Sequence, residues 1–168
     1  MSLLIQENHV GRVIHTQIHL ENLINDFITS VVQYPVHLKP IQLDYFGAVH
    51  LALALGLSVE LKKPLNVLGK MRNDFAHNLD TKIDSNYMNN FYQSFSLEQK
   101  NNMMKFAKES KQSWVVDGLS WKKVPPAEQF IFMCISLYYS CLKEIDKQKH
   151  QQEMNKLGSV ALRLLSEE

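Results

Sequence analysis

The chain has 168 residues, 45% hydrophobic and 21% charged, with 18 Lys and Arg against 17 Asp and Glu. One domain of this size buries about two-thirds of its unfolded surface, and the composition excludes collagen-like repeats, disordered charged tails and Pro/Gly linkers. A net charge of +1 argues against the broad positive footprint of a duplex-DNA binder.

The opening MSLLIQENHV lacks the basic start and apolar core of a signal peptide, and no apolar run reaches the roughly 20 residues of a membrane span. Apolar residues then recur at Val10, Ile14, Ile18, Ile24, Phe27, Ile28 and Val31, which predicts one long helix from about Glu7 to Val32. Pro35 and Pro40 bracket an extended connector. A second helix spans about Asp44 to Leu55 and closes on Gly56, suited to the left-handed cap. Ser58 can cap a short turn, and Pro64 suits the first turn of a third helix ending near residue 78. Asp84 starts an aromatic-rich helix, and Ser96-Leu97-Glu98-Gln99 matches a capping box.

In Trp114–Trp121 an Asp117-Gly118 turn between apolar flanks signals a small β-hairpin, with Trp114 opposite Trp121 and Val116 opposite Leu119. An irregular loop anchored by the two tryptophans is the alternative. Pro125-Pro126-Ala127-Glu128 opens the last helix, with Ile131, Ile135, Tyr138, Leu142 and Ile145 on one face and a polar extension into solvent, fraying, from about Lys147. Its Cys134 and Cys141 lie about 10 Å apart along the axis, too far for a disulfide. They read as core thiols of a reducing, cytoplasmic compartment. The fold expected over residues 1–168 is a single all-α domain, an antiparallel helical bundle of five to seven helices with the longest two at the chain's ends. Their apolar stripes are too wide for a monomer to hide, which predicts a two-fold homodimer.

Several constellations have ordinary explanations. His15 and His19 have the i, i+4 spacing of metal ligands, but no third ligand accompanies them, so they read as surface or interface histidines. Tyr87, Phe91, Tyr92 and Phe95 could stack bases, yet the same spacing serves a buried stripe. Segments 62–82 and 98–123 each carry a net +3, the charge of solvated helix faces; Lys62, Lys63 and Lys70 are the candidates to meet RNA. No glycine-turned helix pair with a basic recognition face appears, which disfavours a helix-turn-helix.

The informative segment is Leu68-Gly69-Lys70-Met71-Arg72-Asn73-Asp74-Phe75-Ala76-His77-Asn78. Arg72 and His77 stand about 140° and 7.5 Å apart on an ideal helix, whereas Asn73 and His77 are close enough to bond, so Asn73 could fix the imidazole tautomer. An imidazole that moves protons and a guanidinium that stabilises a phosphorane suit RNA cleavage without metal. No metal or cofactor is implied, since Asp74 and Asp80 lie about 240° apart around an ideal helix and do not converge on one ion. Arg12 and His19, seven apart, also fit an Arg-x(4–6)-His pattern, but inside an amphipathic helix, without the amide after Arg or the small residue before His.

Met71-Arg72-Asn73-Asp74-Phe75-Ala76-His77-Asn78 resembles the R-N-x-x-A-H signature of the higher eukaryote and prokaryote nucleotide-binding (HEPN) superfamily. The run from Phe46 through Leu51–Leu57 and Leu65 to His77 is similar to its mannitol operon repressor-like branch. The resemblance covers roughly residues 8–150 in helix order, with its specific residues in 46–79. It implies a helical bundle, usually a homodimer that brings two motifs together, with Arg72 and His77 catalytic and Asn73 assisting. It equally implies the alternative of a catalytically silent regulatory or protein-interaction module with a protein partner. Leu79 occupies the place of the tyrosine that toxin members carry two residues after the His, which excludes nucleotidylation there. An enzyme should leave Arg72, Asn73 and His77 open in a basic cleft, and a regulatory module should bury them in internal hydrogen bonds. Capping of the helix end by Arg72, His77 and Asn78 is the third reading.

Overall fold

Helix α1 (His9–Val31) is the strut against which helices α2 (Tyr45–Ala54), α3 (Lys62–His77) and α7 (Pro126–Ser166) pack. The computed structural model describes residues 9–78 and 80–166, with side chains through residue 159 and at Arg163. Between α3 and α7 lie α4 (Ser85–Ser94), α5 (Leu97–Glu109) and the single-turn α6 (Ser113–Val116). Short 3-10 helices occupy Pro35–Ile41, Val59–Leu61 and Trp121–Lys123, and no strand occurs among the described residues. The fold is all-α, with its two longest described helices at either end; Glu7, where the first helix was expected to start, lies outside the described residues.

Local chemistry sets the boundaries. Asp44 Oδ1 accepts the Gly47 N–H at 2.7 Å, and Asp84 Oδ1 accepts those of Asn86 and Tyr87 at 2.9 Å. Ser96 and Gln99 exchange both capping-box bonds. Three helices end in the same left-handed cap, with the next N–H reaching back one turn: Leu57 to the Ala52 carbonyl at 3.0 Å, Gln112 to Ala107 at 3.1 Å and Leu119 to Trp114 at 2.8 Å. The residue in the left-handed conformation is Gly56, Lys111 or Gly118 respectively.

The last of these corrects the hairpin. Asp117-Gly118 closes α6 instead of joining two strands, because one positive-φ glycine satisfies a helix end as well as a hairpin turn. The tryptophans still meet, edge to face at 5.4 Å, through a helical turn and not across a ladder. The extended connector is corrected too: Pro35–Ile41 winds as a 3-10 helix, which tolerates Pro35 at its start.

Two stripes are displaced from their expected positions. On α1 the buried face is Val13, Leu20, Ile24, Phe27 and Ile28, while Ile18 turns outward. On α7 the core residues are Phe130, Met133, Cys134, Leu137, Cys141 and Ile145, and the expected Ile131, Ile135, Tyr138 and Leu142 flank them half-buried. Helix α7 continues to Ser166, so the polar extension from about Lys147 is helical. The α4 aromatics are core-building: Phe91 and Phe95 are buried, Phe91 packs on Phe130, and Tyr92 on Trp121.

Helices α2 and α3 approach most closely at Gly69. A Cβ there would fall 2.6 Å from a ring carbon of Tyr45 and 3.0 Å from Phe46. Tyr45 is buried and cannot retreat; its hydroxyl donates to the Leu65 carbonyl at 3.0 Å. Alanine's helix propensity exceeds that of glycine by about 1 kcal/mol, but overpacking costs about 1–3 kcal/mol, so the clash wins. Gly69→Ala is expected to lower Tm by several degrees in calorimetry; an unchanged or raised Tm would show that the α2–α3 approach is not constrained there.

Burial pushes the Cys141 thiol up to about 12 and the Cys134 thiol well above its ordinary value. Both stay protonated when folded and ionise more readily once unfolded. Their contribution to stability is therefore intact below about pH 8.5 and lost as pH rises towards 12. Tm should hold to pH 8 and fall between pH 9 and 12, and a thiol reagent at pH 8 should label neither cysteine until the chain unfolds. Rapid labelling of the folded chain would contradict this.

Candidate functional site

Helix α3 carries every residue singled out by the motif, and its register decides which of them meet. Leu65, Leu68, Met71 and Phe75 turn into the core. Lys63, Lys70 and His77 recur every seven residues and leave the opposite side within about 40° of one another. Lys62 and Asn73 stand beside them, and all five are exposed. The exposed stripe thus runs from the lysines at the start of α3 to the imidazole in its last turn.

Arg72 leaves the helix about 140° away from His77, yet its guanidinium does not stay there. It is exposed and donates from Nη1 to Asn73 Oδ1 at 3.2 Å. That bond draws the cation towards the Asn73 side, where His77 stands one turn further on. The expected role of Asn73 is therefore corrected: it holds Arg72, and no hydrogen bond joins it to His77 among the described residues. The amide oxygen of Asn73 accepts from the adjacent guanidinium, which offers five donors.

The surroundings hold the helix end in place. Asp74 accepts the Tyr87 hydroxyl at 3.4 Å, and Phe75 meets the same ring edge to face at 5.3 Å, tying α3 to α4. Partial burial, then the charge and hydrogen bond of Asp74, raise the Tyr87 phenol above its ordinary value. Asn78 follows α3 in extended backbone, φ −140°, and its Oδ1 accepts the Asp80 N–H at 3.2 Å. It is not a left-handed cap, and neither Arg72 nor His77 donates to the last carbonyls of α3 among the described bonds. Asn78 is nonetheless the C-cap of α3, its N–H donating to the Asp74 carbonyl at 3.1 Å, as the capping reading expected of that residue.

A cleft of about 270 Å³ opens beside Arg72 between α1, α2 and α3. Gln17, Glu21, Asp44, Tyr45, Phe46, Gly69 and Asn73 complete its lining. Gln17 Nε2 donates to Glu21 at 2.9 Å, and Asp44 is the α2 cap. Arg72 is the cleft's cation and shares the lining with two carboxylates, Glu21 and Asp44, so the cleft is not the basic one expected of an enzyme. His77, Lys62, Lys63 and Lys70 lie outside it.

Nothing in the motif signalled Glu21 or Asp44; both come from elements distant in sequence. The glycine inside the α3 pattern was the one available hint that another element comes close there. His15 and His19 are exposed on α1, and among the described residues no three His, Cys, Asp or Glu are placed to hold a metal ion. His9, not singled out from sequence, accepts the Ile83 N–H through Nδ1 at 3.2 Å. Comparison with protein-family models, with curated proteins and with solved structures finds no match to this chain.

Proposed function

We propose that the chain is a metal-independent endoribonuclease of HEPN type, with Arg72, Asn73 and His77 as its site and Lys62, Lys63 and Lys70 guiding the RNA backbone. The observation that carries this is the Arg72–Asn73 hydrogen bond at an exposed helix end. It holds a positive charge on the same helix that ends in an exposed imidazole, and no internal ion pair among the described residues uses up that charge. His77 takes the proton from a ribose 2′-hydroxyl as the oxygen attacks the adjacent phosphorus. Arg72 stabilises the negative charge that develops on the phosphorane oxygens. The 5′-oxygen then departs, taking a proton from water, and His77 returns its own proton to solvent, leaving a 2′,3′-cyclic phosphate. The donor set of imidazole, guanidinium and amide completes this chemistry without a bound cation. Two buried free thiols support a cytoplasmic setting, no helix among the described residues is long and apolar enough to cross a membrane, and we take the working unit to be a homodimer.

A second reading, a catalytically silent mannitol-repressor-like module that binds a regulatory partner, is favoured by the carboxylates of Glu21 and Asp44 beside Arg72. They repel phosphate and suit a cationic partner. One experiment separates the two. A structured RNA pool incubated with the chain in EDTA should yield fragments ending in 2′,3′-cyclic phosphate, and DNA should remain intact for want of the hydroxyl. Arg72→Ala and His77→Ala should each remove most of the activity while changing stability by about 1 kcal/mol or less. Loss of cleavage in EDTA, or equal cleavage of DNA, would refute the mechanism, and a folded double variant that cuts as well as wild type would refute the site.

A further inference from the structure

A groove of about 360 Å³ runs between α5 and α7, with Met103, Phe106 and Tyr139 as its apolar lining. Phe106 stacks on Phe132 at 5.9 Å and meets Tyr139 at 6.2 Å, yet it remains 39% exposed and Tyr139 57%. Further along the same helix stands an uncovered ridge, Met154 at 52% and Leu157 at 64% exposed. Residues this apolar and this open on a helix that also borders an unfilled apolar groove call for a cover.

The register relates the two. Ser136 to Met154 and Tyr139 to Leu157 are each 18 residues apart, which is about five turns of 3.6 residues. Ridge and groove therefore lie on one face of α7, about 27 Å apart along it. Helix α7 is continuous from Pro126 to Ser166 and cannot fold its own ridge into its own groove. A second copy can. We propose that α7 pairs antiparallel with α7 of a second copy about a two-fold axis crossing near Lys147. Met154 and Leu157 of each copy then fill the groove at Phe106 and Tyr139 of the other.

Such an interface is self-complementary and closes after two subunits, so it covers both ridges and both grooves at once. The axis brings Lys147 close to its own counterpart. Glu144, with a carboxylate oxygen 3.8 Å from the Lys147 Nζ, offsets that repulsion within each copy. No α3 residue lines the groove, so this pairing surface is separate from the site proposed for RNA and stands whether or not RNA is cut.

Sedimentation velocity of the full chain at micromolar concentration should give the mass of two subunits. Met154→Glu with Leu157→Glu should weaken self-association by roughly a hundredfold or more, because each carboxylate would be buried unpaired. Its helical circular dichroism should be unchanged, since both side chains are exposed in the single chain. Tyr139→Cys with Leu157→Cys should oxidise to a covalent dimer, whereas either cysteine alone should not, because each position faces the other and not itself. A one-subunit mass for wild type would overturn the proposal, as would an undiminished dimer in the double glutamate variant. Cross-linking by Leu157→Cys alone as efficient as by the pair would overturn the antiparallel register.

Discussion

The close passage of α2 over α3 is the constraint on which the arrangement of the molecule rests. Tyr45 brings a ring and a hydroxyl into the core, and a buried hydroxyl needs an acceptor. Its partner is the Leu65 carbonyl, which the helical pattern already pairs with the Gly69 N–H; a carbonyl has a second lone pair to offer. To reach it the ring must lie flat along α3 one turn further on, and only a residue without a side chain permits that. Burial raises the Tyr45 phenol far above its ordinary value, so the hydroxyl remains a donor under all ordinary conditions. The consequence extends along α3. With Gly69 against Tyr45 and Phe46, Met71 and Phe75 are drawn inward, while Arg72 and Asn73 emerge at the edge of the cleft and His77 on the open side.

What was legible in the sequence follows from how local each signal is. Asp84 and the Ser96–Gln99 box act through backbone groups within three residues, and they stand where the pattern put them. The Asp117-Gly118 pair shows where local reading ends. A positive-φ glycine after a short apolar run closes either a hairpin or a helix, and the choice falls to tertiary contacts. Here the packing of Trp114 against Trp121 and Phe132 is served by a helical turn. The stripes on α1 and α7 were displaced for a related reason. Both helices are apolar over more than one face, and periodicity alone does not say which face meets the core and which meets the flank.

The exposure of the candidate residues was legible in the sequence and their wiring was not. Arg72, Asn73 and His77 all lie at the exposed end of one helix, as their spacing requires. The bond between Arg72 and Asn73 was not legible, because a long guanidinium side chain can turn back to the neighbouring amide oxygen, which ideal helix angles do not show. The carboxylates of Glu21 and Asp44 were invisible to any motif, since they arrive from α1 and from the cap of α2. They change the electrostatics beside Arg72 from basic to mixed, which leaves the outer stripe of Lys63, Lys70 and His77 as the path of a phosphate backbone under the function proposed.

That path can be observed without any cleavage. Titrating the isotopically labelled chain with a short RNA whose 2′-hydroxyls are methylated removes the nucleophile and leaves the backbone to be bound. Amide and side-chain resonances of Lys63, Lys70, Arg72, Asn73 and His77 should shift together and saturate, and the shifts should shrink steeply with added salt as phosphate contacts are screened. Shifts confined to the cleft at Glu21 and Asp44, or no saturable shift on α3 at low salt, would contradict RNA recognition by this helix.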